Sequence, residues 1–238
     1  MTINKQVIIS LLLLIMVVVF FGYTDVDLII QNYFYIPTTK QWIMNSYMEP
    51  YNFIFYDGIK KFLIVFAVVL FFLFIASFKV VLLKIYKKGL LIVILSAIII
   101  PLFIGYLKKE TNMPCPKQEI QYGGFYPRTT VWEKYPDNFF LKPYRSKCWP
   151  AGHASGGFAL MSLFFLFHKK RNKYIGLVTG VVVGWSMGLY KMLIGDHFFS
   201  HTAITMILAW FLILMIAKIV YSILNVTKEN FSKNSSIR

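Results

Sequence analysis

The sequence predicts an all-α, polytopic membrane protein: a six-transmembrane-helix bundle with an outer-face loop subdomain. Three observations predict it. Of the 238 residues, 58% are hydrophobic and 15% charged, where an average soluble domain has about 45–50% and about 25%. The apolar residues gather into runs long enough for a hydrocarbon core about 30 Å thick, which takes about 20 residues of helix. The charges fall between the runs, with 25 Lys and Arg against 10 Asp and Glu for a net charge of +15. On a soluble chain that excess would point to nucleic acid. Here the apolar excess decides for the membrane, and no nucleic-acid partner is expected. An aromatic content of 18% excludes a disordered chain.

Taken in order, the first span covers residues 7–23, the second 62–78, the third 89–107, the fifth 174–194 and the sixth 202–224. Between the third and fifth lies a short fourth, residues 154–168, whose helix would rise only about 22 Å. Its start is expected below the membrane surface. Residues 1–224 thus form one membrane domain and 225–238 a polar cytoplasmic tail. The first run, preceded by Lys5, has a second reading as a secretory signal. The segment Phe20, Phe21, Gly22, Tyr23, Thr24 lacks a small-x-small cleavage site, so we keep it as a span.

Orientation follows the short basic loops. Lys79, Lys84, Lys87 and Lys88 lie between spans two and three, and Lys169, Lys170, Arg171 and Lys173 between spans four and five. Placing both clusters in the cytoplasm puts both termini inside and residues 24–61 and 108–153 outside. Lys218, late in the last span, reads as a snorkelling side chain.

Ionisable residues at span ends are costly without a purpose, and they gather on the outer side. Lys108 ends span three; His153 opens span four within Pro150-Ala151-Gly152-His153; Lys191, Asp196, His197 and His201 lie between spans five and six. Lysines and a glycine-rich helix start suit concentrated negative charge such as phosphate. One imidazole can attack phosphorus while a second protonates the leaving oxygen. Such a site needs neither metal nor cofactor.

These residues resemble the type-2 phosphatidic acid phosphatases, whose members usually show Lys-x6-Arg-Pro, Pro-Ser-Gly-His and Ser-Arg-x5-His-x3-Asp. This chain has Lys108-x6-Cys115-Pro116, Pro150-Ala151-Gly152-His153 and Tyr190-Lys191-x5-His197-x3-His201. Order and spacing match, while Cys115, Ala151, Tyr190, Lys191 and His201 depart from the pattern. The resemblance implies His197 as the nucleophile forming a phosphohistidine and His153 as the acid on the leaving group. Lys108, Lys191 and the backbone at Ala151 and Gly152 would bind phosphate. His201 stands where the family has a carboxylate that orients the nucleophile; a neutral imidazole accepts the hydrogen bond without bringing charge, leaving a slower step or help from Asp196. Both motif arginines are gone, and Lys cannot replace their bidentate clamp. Arg128 and Arg145 in the same outer loop are the expected substitutes.

Cys115 and Cys148 fall in the outer segment, where disulfides form, and a bond between them would tie the Lys108 segment to the start of span four. The aromatic, turn-rich stretch around Gln121 to Pro127, followed by Trp132, Phe139, Phe140 and Trp149, reads as a lid in the headgroup layer or as a packed loop. Other readings stay open. His197 and His201 at i and i+4 could ligate zinc, although His-Glu-x-x-His is absent. Lys108 and Lys191 could be headgroup anchors, Arg128 and Arg145 loop surface, and Gly156 and Gly157 helix-packing residues.

The function expected is a metal-independent lipid phosphatase of a bacterial inner membrane, with its site on the periplasmic face. The substrates the resemblance implies are a lipid A phosphate, a polyprenyl diphosphate, phosphatidylglycerol phosphate or phosphatidic acid. The alternatives are a lipid phosphotransferase using the same intermediate, or a non-catalytic lipid-phosphate binder or transporter on a decayed fold. Nothing in the sequence sets the oligomeric state.

Overall fold

The computed structural model describes residues 2–45, 49–136, 139 and 146–235, with side chains as far as residue 223. Eight α-helices carry the fold among these residues: α1 Ile3–Tyr23, α2 Val26–Asn32, α3 Gly58–Ala76, α4 Val81–Lys84, α5 Lys87–Glu110, α6 Gly152–Ala159, α7 Lys170–Leu193 and α8 Phe199–Ser235. A two-stranded hairpin, β1 Tyr35–Ile36 against β2 Gln41–Trp42, follows α2, pairing Tyr35 with Trp42. The chain is thus an all-α membrane protein. Five helices are long and apolar enough to cross a bilayer: α1, α3 with the π-turn before it, α5, α7 and the part of α8 up to Ile223.

Of the three remaining helices, α6 has eight residues and continues as a six-residue 3-10 segment, Leu160–Phe165. Together they rise only about 24 Å. Most helices begin several residues before the apolar runs do, because hydropathy marks the lipid-facing stretch and not the first turn. In α1 that turn is closed by Thr2, whose Oγ1 accepts the Lys5 amide. The last helix continues to Ser235 instead of giving way to a tail at residue 225; no Gly or Pro interrupts that stretch to stop it.

Burial divides the bundle. α1 and α3 expose much of their apolar surface, including Leu12, Phe62, Val65 and Phe72, as lipid-facing helices do. The core is built where α5, α6 and α8 meet, from Ile100, Ile104, Ala154, Phe158, Leu208, Ala209 and Ile213. α7 packs through small residues: Gly176, Gly180, Gly184 and Gly188 recur every fourth position on one helix face, Gly184 against Phe158 of α6, Gly176 and Gly180 against the 3-10 segment that continues it, and Gly188 against Thr202 of α8. A Cβ on Gly157 would sit 2.7 Å from the Cα of Gly184, and one on Gly180 would collide with the backbone of Met161. Such contacts let helices approach without side chains between them. They hold the short α6 upright and place its first turn beside the end of α7.

Candidate active site

The turn between α7 and α8, residues 194–198, carries the central imidazole. Gly195 makes this turn possible, with φ +74, a left-handed conformation. The indole of Trp42 packs where a Cβ on Gly195 would lie. After it, the amides of Asp196 and His197 both donate to the carbonyl of Lys191, at 2.8 and 3.2 Å.

The outer connections tie this turn down from several sides. Gln31 on α2 donates to Met192 O at 3.0 Å. The Met44 amide donates to Leu193 O at 3.3 Å and the Lys117 amide to Gly195 O at 3.0 Å. Asp27 on α2 accepts the Ser200 amide at 2.9 Å, capping the first turn of α8.

The three histidines meet here. His153, in the first turn of α6, brings Nδ1 to 3.3 Å from His197 Nε2. His201, one turn into α8, places Nδ1 3.5 Å from His197 Nδ1. The two neighbours thus address opposite nitrogens of one ring and do not converge on a common point. Among the described residues, no group of three or more His, Cys, Asp or Glu is arranged to hold a metal ion. His197 and His201 are completely enclosed, 1% and 0% exposed. Burial, reinforced by His201, Lys108, His153 and Lys191, holds the His197 imidazole well below its usual range, so it is neutral.

Cations flank the rings. Lys108, at the end of α5, runs its side chain beside the start of α6: a Cβ on Gly152 would lie 3.6 Å from Lys108 Nζ. The first-turn amides of α6 have no acceptor within the helix. The Ala151 amide is different. It donates to Thr205 Oγ1 at 2.9 Å and to His201 O at 3.2 Å, and Ala151 is fully buried. Ala151 therefore ties α6 to α8 and does not offer its N–H to a ligand.

Lys191 Nζ lies 2.9 Å from Asp196 Oδ2 and 4.5 Å above the Tyr56 ring. Asp196 also takes Lys117, at 2.6 Å. Burial alone would raise the Asp196 carboxyl, but Lys191 and Lys117 outweigh it and hold it below its usual range. Bound to two lysines, Asp196 is not the partner of His197; that position belongs to His201.

Arg128 is not brought to the histidines. It pairs with Asp25 at 2.9 Å and lines a second, small cavity with Asp27, Glu119 and Trp132. Its guanidinium is drawn to the acids of the first outer connection, which the motif spacing does not encode. Arg145 lies outside the described residues. Cys115 and Cys148 are joined as a disulfide, with Cα atoms 5.1 Å apart. The Cys148 amide also donates to Met113 O, fastening the end of α5 to the approach to α6.

A cavity of 380 Å³ is lined by His153 and by residues of α3, α5 and α6. Its head is polar: Tyr56, Lys60, Gly152, His153 and Ser155. The rest is apolar, between Leu63, Phe66 and Leu70 of α3, Val93 and Ala97 of α5, and Leu160 beyond α6. Tyr56 sets its ring edge-to-face on His153, with centroids 5.1 Å apart. Neither Tyr56 nor Asp27 stands in a motif, so spacing did not single them out.

Comparison with known proteins agrees with this geometry. The family model described as the PAP2 superfamily matches residues 89–224, which include His153, His197 and His201. A protein of Francisella tularensis subsp. novicida (strain U112) named lipid A 4'-phosphatase is 28% identical over 203 residues, covering 76% of this chain and 80% of its own. No solved structure matches.

Proposed function

The chain belongs to the PAP2 superfamily, and from that membership and the site we propose that it is a membrane lipid phosphatase acting through a phosphohistidine. The observation that carries this reading is the pair His153 Nδ1 and His197 Nε2, 3.3 Å apart at the head of an apolar cavity. A phosphate fits beside Lys108 and the first turn of α6, while hydrocarbon fits the cavity below. That division suits a phosphorylated lipid.

In the first step the Nε2 lone pair of neutral His197 attacks phosphorus. His201 Nδ1 accepts a hydrogen bond from His197 Nδ1–H, which fixes the tautomer that leaves Nε2 free. Lys108, with the Gly152 region, neutralises the equatorial oxygens as charge redistributes. His153, on the Nε2 side, delivers a proton to the leaving oxygen. The anionic substrate itself favours the protonated imidazole it meets there. In the second step His153 takes a proton from water, which then cleaves the P–N bond.

The candidate substrates are lipid A phosphate, which the name of the Francisella relative favours, polyprenyl diphosphate, phosphatidylglycerol phosphate and phosphatidic acid. Helix polarity supports a site on the outer, periplasmic face of a bacterial inner membrane. α5 begins at Lys87 and Lys88 and carries Lys108 in its last turn, and α7 begins at Lys170 and Arg171 and carries Lys191 in its last turn. Each helix has 24 residues, so its basic start and its site lysine are about 32 Å apart.

Phosphate release from these four lipids, with EDTA present, tests the reading. The wild-type chain releases phosphate and His197→Ala loses about 10⁴-fold or more. Equal release by both proteins, release by neither, or loss on adding EDTA contradicts it.

A further inference from the structure

The cavity that leads away from His153 is not purely a hydrocarbon slot. Tyr56, Lys60, Leu63, Ile64, Ala67 and Leu70 line it from α3 and the turn before it. With Phe66 these positions make one broad helix face, the pairs 56/60, 60/63, 60/64, 63/67 and 67/70 being three or four residues apart. Lys60 is therefore the charged position of the face that lines the cavity. Its neighbour Lys61 lies off that stripe, with Nζ 5.8 Å from the centroid of the Phe53 ring.

The three lysines near His153 divide in position. Lys108 adjoins Gly152, on the phosphate side, and Lys191 is paired with Asp196. Lys60 lines the cavity that His153 also lines, one helical turn from Tyr56 on one side and from Leu63 and Ile64 on the other, with its side chain exposed. Among the described residues no ion pair joins Lys60 to a carboxylate. An ammonium that lines an apolar slot favours an anion beside it, in a place where a lipid's linkage to its scissile phosphate would lie.

Resting on the phosphatase reading above, we propose that Lys60 binds a second anionic group of the substrate on the leaving-group side, so that the site selects lipid diphosphates over the corresponding monophosphates. The chemistry accounts for the selection. Attack by His197 Nε2 on the terminal phosphorus forms a P–N bond and breaks the bridging P–O bond. The electron pair departs on the phosphate that remains attached to the lipid, where Lys60 neutralises it. Water later cleaves the P–N bond and releases inorganic phosphate. With a monophosphate the pair departs on an alcohol oxygen, which needs a proton from His153 and has no use for Lys60.

The test uses the full chain in detergent with farnesyl diphosphate and farnesyl monophosphate, which share one hydrocarbon, and reads the ratio of their kcat/KM values. A ratio is insensitive to the fraction of folded enzyme. Lys60→Gln lowers the diphosphate-to-monophosphate ratio about tenfold, the size of one lost charge-assisted contact. Lys60→Arg keeps it, and Lys61→Gln, off the stripe, leaves it unchanged. A ratio unaltered in Lys60→Gln, or lowered equally in Lys61→Gln, overturns the proposal and leaves the phosphatase reading standing. Absence of turnover by the wild type with either compound overturns the proposal, while phosphate release from the four lipids named above decides the phosphatase reading separately.

Discussion

Two polar clusters lie at the same end of the bundle and settle their charge in opposite ways. One holds His153, His197 and His201 with Lys108 alongside: rings and an ammonium, with no carboxylate within hydrogen-bond reach of any ring among the described residues. The other holds Asp27 and Glu119, nearly fully buried, with Arg128 paired to Asp25. The second cluster carries its own counter-charge and uses its groups on the protein, as when Asp27 caps α8. The first leaves positive charge uncompensated around a neutral imidazole. The contrast separates residues that await an anion from residues that hold the loops which frame it.

That separation makes the two clusters respond differently to mutation. The larger effect falls on the first: His153→Ala lowers phosphate release by about 10²–10⁴-fold, the usual contribution of a positioned acid. Its loss is smaller for a substrate whose leaving group needs no proton. In the second cluster Arg128→Ala changes kcat/KM by no more than about threefold and acts on stability instead, as a partly exposed ion pair does. Thermal unfolding measured beside turnover checks both. A large loss of activity in Arg128→Ala at unchanged stability would bring Arg128 back to the phosphate site.

A smaller effect, on stability, distinguishes the clusters by the sign of their pH dependence. Burial pushes Glu119 up to about 8 and Asp27 up to about 6. Folded protein therefore keeps protons that unfolded chain releases from about pH 4 upward, and stability falls as pH rises through that window, until Glu119 ionises near 8. His197 acts in reverse. Its depressed pKa means that stability present above about pH 6.5 is lost as pH falls below it, because unfolded chain takes up the proton first. Glu119→Gln removes the fall in melting temperature between about pH 4.5 and 8, and His197→Ala removes the opposite change below about pH 6.5. Profiles that respond the other way round refute the assignment.

The same contrast explains what was legible in the chain. Spans are legible because twenty apolar residues in succession have no other solution. Lys108, His153, Lys191, His197 and His201 are legible because their spacings repeat a known pattern, and the structure brings these five to one end of the bundle. The pairing of Arg128 with Asp25 and the capping of Ser200 by Asp27 are not, since the partners are 103 and 173 residues apart and no local periodicity encodes them. The Ala151 amide turns away from the site for a related reason, being claimed by Thr205 from α8. The glycine stripe on α7 is different. Gly176, Gly180, Gly184 and Gly188 stand in plain view at helical spacing, and only the packing against α6, its 3-10 continuation and Thr202 of α8 shows their purpose. Tyr56 and Lys60 required the cavity, because a face of α3 acquires meaning from what lies across it.

The central claim is that His197 carries the phosphate. Rapid mixing with lipid phosphate radiolabelled at the scissile phosphorus, quenching in alkali and mapping of the labelled peptide test it most directly, since phosphohistidine survives base and is lost in acid. The account predicts acid-labile label on His197, turning over with the product and absent from His197→Ala. Label on another residue, or a His197→Ala chain that still turns over the lipid, would contradict it.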